Sequence, residues 1–205
     1  MSSDVIKINT DGLTGTTIQP DIEILALVDE NDPVLRTKTP EFDFENRSID
    51  PVEFASQLVE TCKIKGGFGL AAPQVGVLAR VFVMGSEDNY VAFYNPKILN
   101  SSKETSLIAE GCLSFPMLAL KVERPSQVEV EYQDFNGVTR TGIFSGISAH
   151  CFQHELDHLN GVTYLQRAKP LALKMGLKKR DKFETLIHRY NKAQKNKNDL
   201  IGQKV

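Results

Sequence analysis

Apolar residues recur at helical spacing in three stretches of the chain and at strand spacing between the first and second. Val52, Ala55, Leu58, Val59 and Cys62 fall on one face of a helix. Asp50 precedes them as an N-cap, Pro51 takes the first helical position, Glu53 completes a capping box, and Gly66-Gly67 ends the element. Between residues 70 and 144 the pattern changes to strands. Residues 80–84 and 91–94 are β-rich runs, and 127–132 alternates with period two. Asn136-Gly137 marks a hairpin turn into 138–144. Helical periodicity returns after Gly146 and lasts to Leu159, where Asn160-Gly161 supplies a C-terminal cap. A further helix is predicted from Pro170 to Gln194, with Leu173, Leu177, Phe183, Ile187 and Tyr190 as its apolar stripe.

The order helix, strands, helix, helix favours an α+β fold over an alternating α/β one. A chain of 205 residues suits one domain with a sizeable core. Residues 1–23 lack periodicity and read as an irregular N-terminal extension, whereas 24–28 is an apolar run followed by the turn-forming DENDP. A composition of 41% hydrophobic and 24% charged residues excludes the disordered and collagen-like classes. No apolar run approaches a membrane span, and the first residues have neither the n- and h-regions of a signal peptide nor the character of a transit peptide, so a cytoplasmic protein is expected. Cys62, Cys112 and Cys151 form no disulfide framework and are expected as thiols, Cys62 and Cys151 as packing residues.

Charge is unevenly distributed. Residues 169–197 hold ten Lys or Arg against two acids, a net +8 within a chain of net −2, so the remainder carries −10. Such a segment is either a solvated helix face or a contact for a polyanion such as RNA.

Residues 154–158 read HELDH. Residues four apart on a helix are separated by about 40° of rotation and ~6 Å of rise, so the rings of His154 and His158 can converge on one metal ion. Glu155 can then reach a water beside that ion without ligating it. A surface helix with two unrelated histidines is the bland alternative, but Ile147, Phe152, Leu156 and Leu159 imply that part of the helix is buried. His150 lies one turn back, ~12 Å from His158 along the axis and too far to share its ion. It reads as a pocket or core residue, and Asp157 as solvated or salt-bridged.

Two histidines need a third protein ligand. A metzincin pattern continues to Gly161 but puts Tyr164 where its last histidine belongs. Glu184, in the basic segment, could serve in a zincin-type peptidase. Cys112 in EGCLS (110–114) could present a soft thiolate from a sheet edge, a donor that suits Zn²⁺ or Fe²⁺ together with two imidazoles. Spacing leaves Glu184 and Cys112 both open. A third stretch, GFGLAAPQ (67–74), allows close backbone approach of a ligand and adds an amide donor, Gln74, to an apolar segment.

GFGLAAPQ, EGCLS and HELDH, in this order, resemble the three signature motifs of the peptide deformylases, and DPVLR (32–36) resembles that family's N-terminal region. The resemblance covers residues 24–169 as a catalytic domain, with 170–205 left as a basic C-terminal helix and polar tail. It implies antiparallel β-sheets packed around a central helix that carries HELDH, with an additional N-terminal helix and a C-terminal helix. The implied activity is removal of the formyl group from N-terminal formyl-methionine of new polypeptides. Cys112, His154 and His158 would hold one divalent ion, Fe²⁺ first, with Ni²⁺, Co²⁺ or Zn²⁺ as alternatives. Glu155 would act as general base and acid, with Gln74 and the Leu113 N–H at the developing oxyanion. Phe68, Gly69 and Gly111 would border the bound peptide, and Phe68, Ile147 and His150 would wall the methionine pocket. His150 stands where the family often has an aliphatic residue, and Ala119 where bacterial members often have arginine. The C-terminal segment would dock near ribosomal RNA, the protein acting as a monomer away from membranes. A zincin peptidase, or a non-catalytic metal- or peptide-binding member of the fold, are the competing readings.

Overall fold

The computed structural model describes residues 22–202, so the N-terminal extension lies, but for its last two residues, outside the described residues. The chain is α+β and contains two antiparallel sheets. Helix α1 (Pro51–Ile64) is capped by Asp50, whose carboxylate accepts from the Val52 and Glu53 N–H groups. Strands β1 (Gly69–Ala71), β2 (Val81–Ser86), β3 (Asn89–Ser101), β6 (Gln127–Gln133) and β7 (Thr139–Ser145) form a five-stranded sheet in the order β1-β2-β3-β6-β7. Strands β4 (Thr105–Cys112) and β5 (Phe115–Pro125) form a separate hairpin. Helix α2 (Gly146–Leu159) runs through the centre, followed by the short α3 (Tyr164–Arg167) and the long α4 (Pro170–Gly202).

Strand β2 explains the layering. Its Val81 and Val83 pack with Phe54, Leu58 and Cys62 of α1. Its Phe82 and Met84 pack with Phe152 and Leu156 of α2, in a cluster that includes Phe93, Val128, Val130 and Phe144. A strand covered on both faces reads as an unbroken apolar run, as VFVM (81–84) does, while β6, with Glu129 exposed and Glu131 half-buried, alternates. The two helices thus sandwich one end of the sheet. A third core gathers Leu35, Phe115, Leu118, Leu120, Val122 and Tyr164 beneath the hairpin, with Leu173 and Leu177 of α4 against it.

Both amphipathic helices match the sequence pattern, and α4 extends beyond the expected end at 194. Cys62 is a fully buried core residue, its thiol pushed up to about 12 by burial and then by the charge of Glu155. Among the described residues no helix is long and apolar enough to cross a membrane.

Candidate metal centre and active site

Central helix α2 buries every residue from Phe152 to Leu159. His154 and His158 lie one turn apart on it, ring centroids 5.0 Å apart. The hairpin brings Cys112 to them: between Glu110 and Cys112 the β4–β5 register shifts, and Cys112 pairs with Phe115 across the turn. Its Sγ lies 3.3 Å from His158 Nε2. The ligating atoms of Cys112, His154 and His158 all fall within 4.8 Å of one another. Glu184 lies on α4, exposed, with Arg180 one turn away as its ionic neighbour. Of the two candidates that spacing left open, Cys112 and not Glu184 stands beside the two imidazoles.

Glu110 governs the imidazoles. Its Oε2 accepts from His154 Nδ1 at 3.0 Å and from Arg124 at 3.0 Å, its Oε1 from His150 Nδ1 at 3.1 Å and from Arg124 Nε at 2.7 Å. Burial works against its charge, but the bonds from His154 and Arg124 prevail and hold the carboxyl at about 2. A carboxylate only accepts, so His154 carries a hydrogen on Nδ1 and turns Nε2 toward the Cys112 sulfur. Burial pulls the His154 pKa down, yet its bonds with Cys112 and Glu110 raise it to about 10. His158 is held well below the usual range by burial, then by the charges of His154 and Arg124. One neutral imidazole, one proton-bearing imidazole and a thiol crowded together are a donor set a divalent cation would fit, displacing protons as it binds.

Glu155 follows on the same helix. Its carboxylate rests against Gly69 of β1, where a Cβ would come within 2.5 Å of Oε1. Its Oε2 is buried without a hydrogen-bond partner. Burial raises its pKa to about 7, the charge of His154 opposing and that of Glu110 assisting. A carboxyl poised near neutrality with one oxygen unengaged can take and return a proton.

Gln74 completes the polar set. Its Oε1 accepts from the Ala71 N–H at 2.8 Å, which turns its Nε2 to Ser114 Oγ at 3.1 Å and Cys112 Sγ at 3.4 Å. Gln74, Cys112, His154 and Glu155 line a cleft of about 400 Å³ between β1 and β4, bordered by Phe68, Gly69, Gly111, Leu113, Ile147 and His150. Phe68 and Ile147 are exposed at its mouth. His150 reaches the wall but is only 3% exposed, its Nε2 at 2.9 Å from Ser106 Oγ. Ala119 points outward from β5 and does not border the cleft.

Two residues that hold the site were passed over in the sequence, Glu110 and Arg124. Arg124 is 4% exposed and bridges Glu110 to Asp157, its Nη1 donating to Asp157 Oδ2 at 2.8 Å. Asp157 also accepts from Arg167 at 2.6 Å, so its salt-bridged role stands. The inward alternation of Leu118, Leu120 and Val122 on β5 continues to Arg124, and that period was the available signal. Tyr164, at the place of a metzincin's third histidine, donates to the Leu118 carbonyl at 2.7 Å and packs beside His154, ring centroids 5.5 Å apart.

An HExxH helix with a cysteine beside its two histidines and an amide donor opposite defines a class of metal-dependent amide hydrolases. The family model for polypeptide deformylase matches residues 24–174, and the chain belongs to that family. It is 43% identical over 150 residues to the peptide deformylase of Thermotoga neapolitana, covering 73% of this chain and 89% of that one. The peptide deformylase of Rhizobium meliloti is 40% identical over 170 residues, covering 80% and 90%. A solved Synechococcus elongatus peptide deformylase in complex with actinonin superposes with a TM-score of 0.72 at 35% identity, covering 82% of this chain and 94% of that one. An Acinetobacter baumannii peptide deformylase bound to Met-Ala-Ser gives 0.67 at 30% identity, covering 72% and 99%.

Proposed function

We propose that the chain removes the formyl group from N-terminal formyl-methionyl peptides by metal-assisted hydrolysis, releasing formate and a free amine. The observation that carries this is the convergence of Cys112, His154 and His158 within 4.8 Å beside an unpartnered Glu155 Oε2. A divalent ion held by these three, Fe²⁺ in our reading although the same donors accept Zn²⁺, Ni²⁺ and Co²⁺, would supply Lewis acidity toward water and carbonyl.

The protein's own residues do the rest. Edge strand β1 has a neighbour on one side only, so a peptide can add to it as a strand, lying along Phe68 and Gly69 with its methionine toward Ile147 and His150. Gly111 borders open space, where a Cβ would meet nothing within 4 Å, and leaves the formyl end room to enter. As water attacks the formyl carbon, Glu155 takes its proton. Gln74 Nε2 and the Leu113 N–H face the oxyanion that develops, and Glu155 then returns a proton to the leaving amine. The Met-Ala-Ser in the A. baumannii relative is a peptide of the length and first residue that this cleft would take. The basic face of α4 is assigned to ribosomal RNA on the strength of its charge.

Protein purified without oxygen and loaded with Fe²⁺ should release formate from formyl-Met-Ala-Ser. Cys112→Ser should lose both bound metal and formate release by at least tenfold. A Cys112→Ser protein that kept both would overturn the reading.

A further inference from the structure

His150 has a buried ring, and both of its nitrogens are engaged. It sits one helical turn before His154, and the two histidines grip opposite oxygens of one carboxylate: His150 Nδ1 lies 3.1 Å from Glu110 Oε1, His154 Nδ1 3.0 Å from Glu110 Oε2. With Arg124 donating to both oxygens, Glu110 accepts four hydrogen bonds, as many as a carboxylate has lone-pair directions. None of the four can be a bond donated by Glu110, so His150 carries its hydrogen on Nδ1. That leaves Nε2 to the hydroxyl of half-buried Ser106 on β4, which lies 2.9 Å away.

We infer that the Ser106–His150 pair is a positioning device for the metal centre: Ser106 orients the His150 ring, His150 locks Glu110, and Glu110 holds His154 with Nε2 toward the ion. All three links join different elements, since Ser106 and Glu110 stand on β4 and both histidines on α2. The chain thus ties the hairpin that supplies the thiolate to the helix that supplies the imidazoles. A side chain whose only task was to line the cleft would need neither bond, and an apolar one would serve better beside Ile108 and Ile147.

The inference rests on the proposed Cys112–His154–His158 centre, and Co²⁺ titration separates the two. The probe is Co²⁺ itself, read by its visible ligand-field bands and by the thiolate charge-transfer band, with affinity measured against a chelator and no turnover required. Wild-type protein that binds Co²⁺ without a thiolate band would defeat the centre, and the inference with it. Given a normal wild-type spectrum, two polar substitutions distinguish the roles of the ring nitrogens. His150→Asn places an amide where Nδ1 was and keeps the donor to Glu110; His150→Gln places it nearer Nε2 and keeps only the partner for Ser106. Co²⁺ affinity should stay within about twofold for His150→Asn and fall about tenfold for His150→Gln, in the range of outer-shell losses. Ser106→Ala should give a smaller fall of about threefold. With Fe²⁺ loaded, kcat should drop in Ser106→Ala, whose side chain does not border the cleft, while KM for formyl-Met-Ala-Ser holds. Equal affinities in all three variants, or a change confined to KM, would overturn the proposal. Should His150→Gln fail to fold, Ser106→Ala, which alters only a half-buried hydroxyl, decides alone: wild-type Co²⁺ affinity there would reject it.

Discussion

Gly69 has no room for a side chain because Glu155 occupies the space in front of it. A Cβ would stand 2.5 Å from Oε1 and 2.8 Å from two further atoms of that side chain, closer than real contacts allow. The backbone there has ordinary strand geometry, so alanine would meet no strain of its own and the conflict falls wholly on Glu155. Glu155 is also buried, one oxygen without a partner, and cannot swing away without disturbing its neighbours. Gly69→Ala should therefore fold, shift its melting temperature by only a few degrees and bind metal as before, while kcat falls by about 10²-fold because a misplaced base loses most of its contribution. Steady-state kinetics beside a metal assay would show it; a kcat within twofold of wild type would mean that Glu155 is not held by this contact.

At the level of elements, the site depends on how the β4–β5 hairpin is fastened to α2, and the fastening is ionic. Arg124 reaches from β5 to Glu110 on β4 and to Asp157 on α2, all three buried. Arg124→Leu keeps the inward apolar period of β5 but removes the buried charge that Glu110 and Asp157 share, leaving Asp157 to Arg167 and Glu110 to the two histidines, and should cost about 3 kcal/mol, the low end for breaking a buried pair. The pH dependence follows from Glu110. Its folded pKa of about 2 lies below the ordinary 4.5, so the stability it contributes is complete above pH 4.5 and is lost as pH falls toward 2. Denaturant titrations of the metal-free protein should show stability steepening downward below pH 4.5 in the wild type. In Arg124→Leu that acid loss should shrink, since the pKa of Glu110 returns toward 4.5; an unchanged acid limb would contradict the account. The same buried charges explain what could be read from the sequence. Helices α1 and α2 were legible because a cap and an apolar stripe agree, and β2 and β6 because their faces are cleanly covered or alternating. The hairpin was not: Glu110 and Arg124 turn inward among apolar neighbours, breaking the polar-out rule that identifies strands. With three residues, β1 is too short to show any period. The convergence of Cys112, His154 and His158 was legible, since two of them sit in a motif and the third in another, but Glu110 beside Cys112 went unassigned because its partners come from two distant elements.

Across the whole molecule, helix α4 divides into a part that belongs to the fold and a part that does not. Leu173 and Leu177 join the core beneath the hairpin, and Gly176 lies so close to β5 that a Cβ would come within 2.5 Å of Leu120. Arg180 then pairs with Glu30 through two bonds, of 2.7 and 3.2 Å, tying the helix to the segment that precedes Pro33. Beyond this pair the character changes: Phe183, Leu186 and Tyr190 are 50%, 61% and 62% exposed on a helix that carries Arg189, Lys192 and Lys195. The family match ends at residue 174, inside the docked part. Two truncations should separate packing from charge. Removing residues 185–205 takes away none of the described residues of the third core, so melting temperature and formate release should stay near those of the full chain. Removing 170–205 uncovers Leu118 and Leu120 and discards two packed leucines and the Glu30 pair, a loss of about 3–5 kcal/mol at ~1.5–3 kcal/mol per buried leucine. If the basic face serves ribosomal RNA, co-sedimentation with ribosomes at low salt should already fall in the shorter deletion, because charge is removed there while the core is intact. Binding that survives the 185–205 deletion and disappears only with 170–205 would place any ribosome contact on the docked segment and take the projecting helix out of that role.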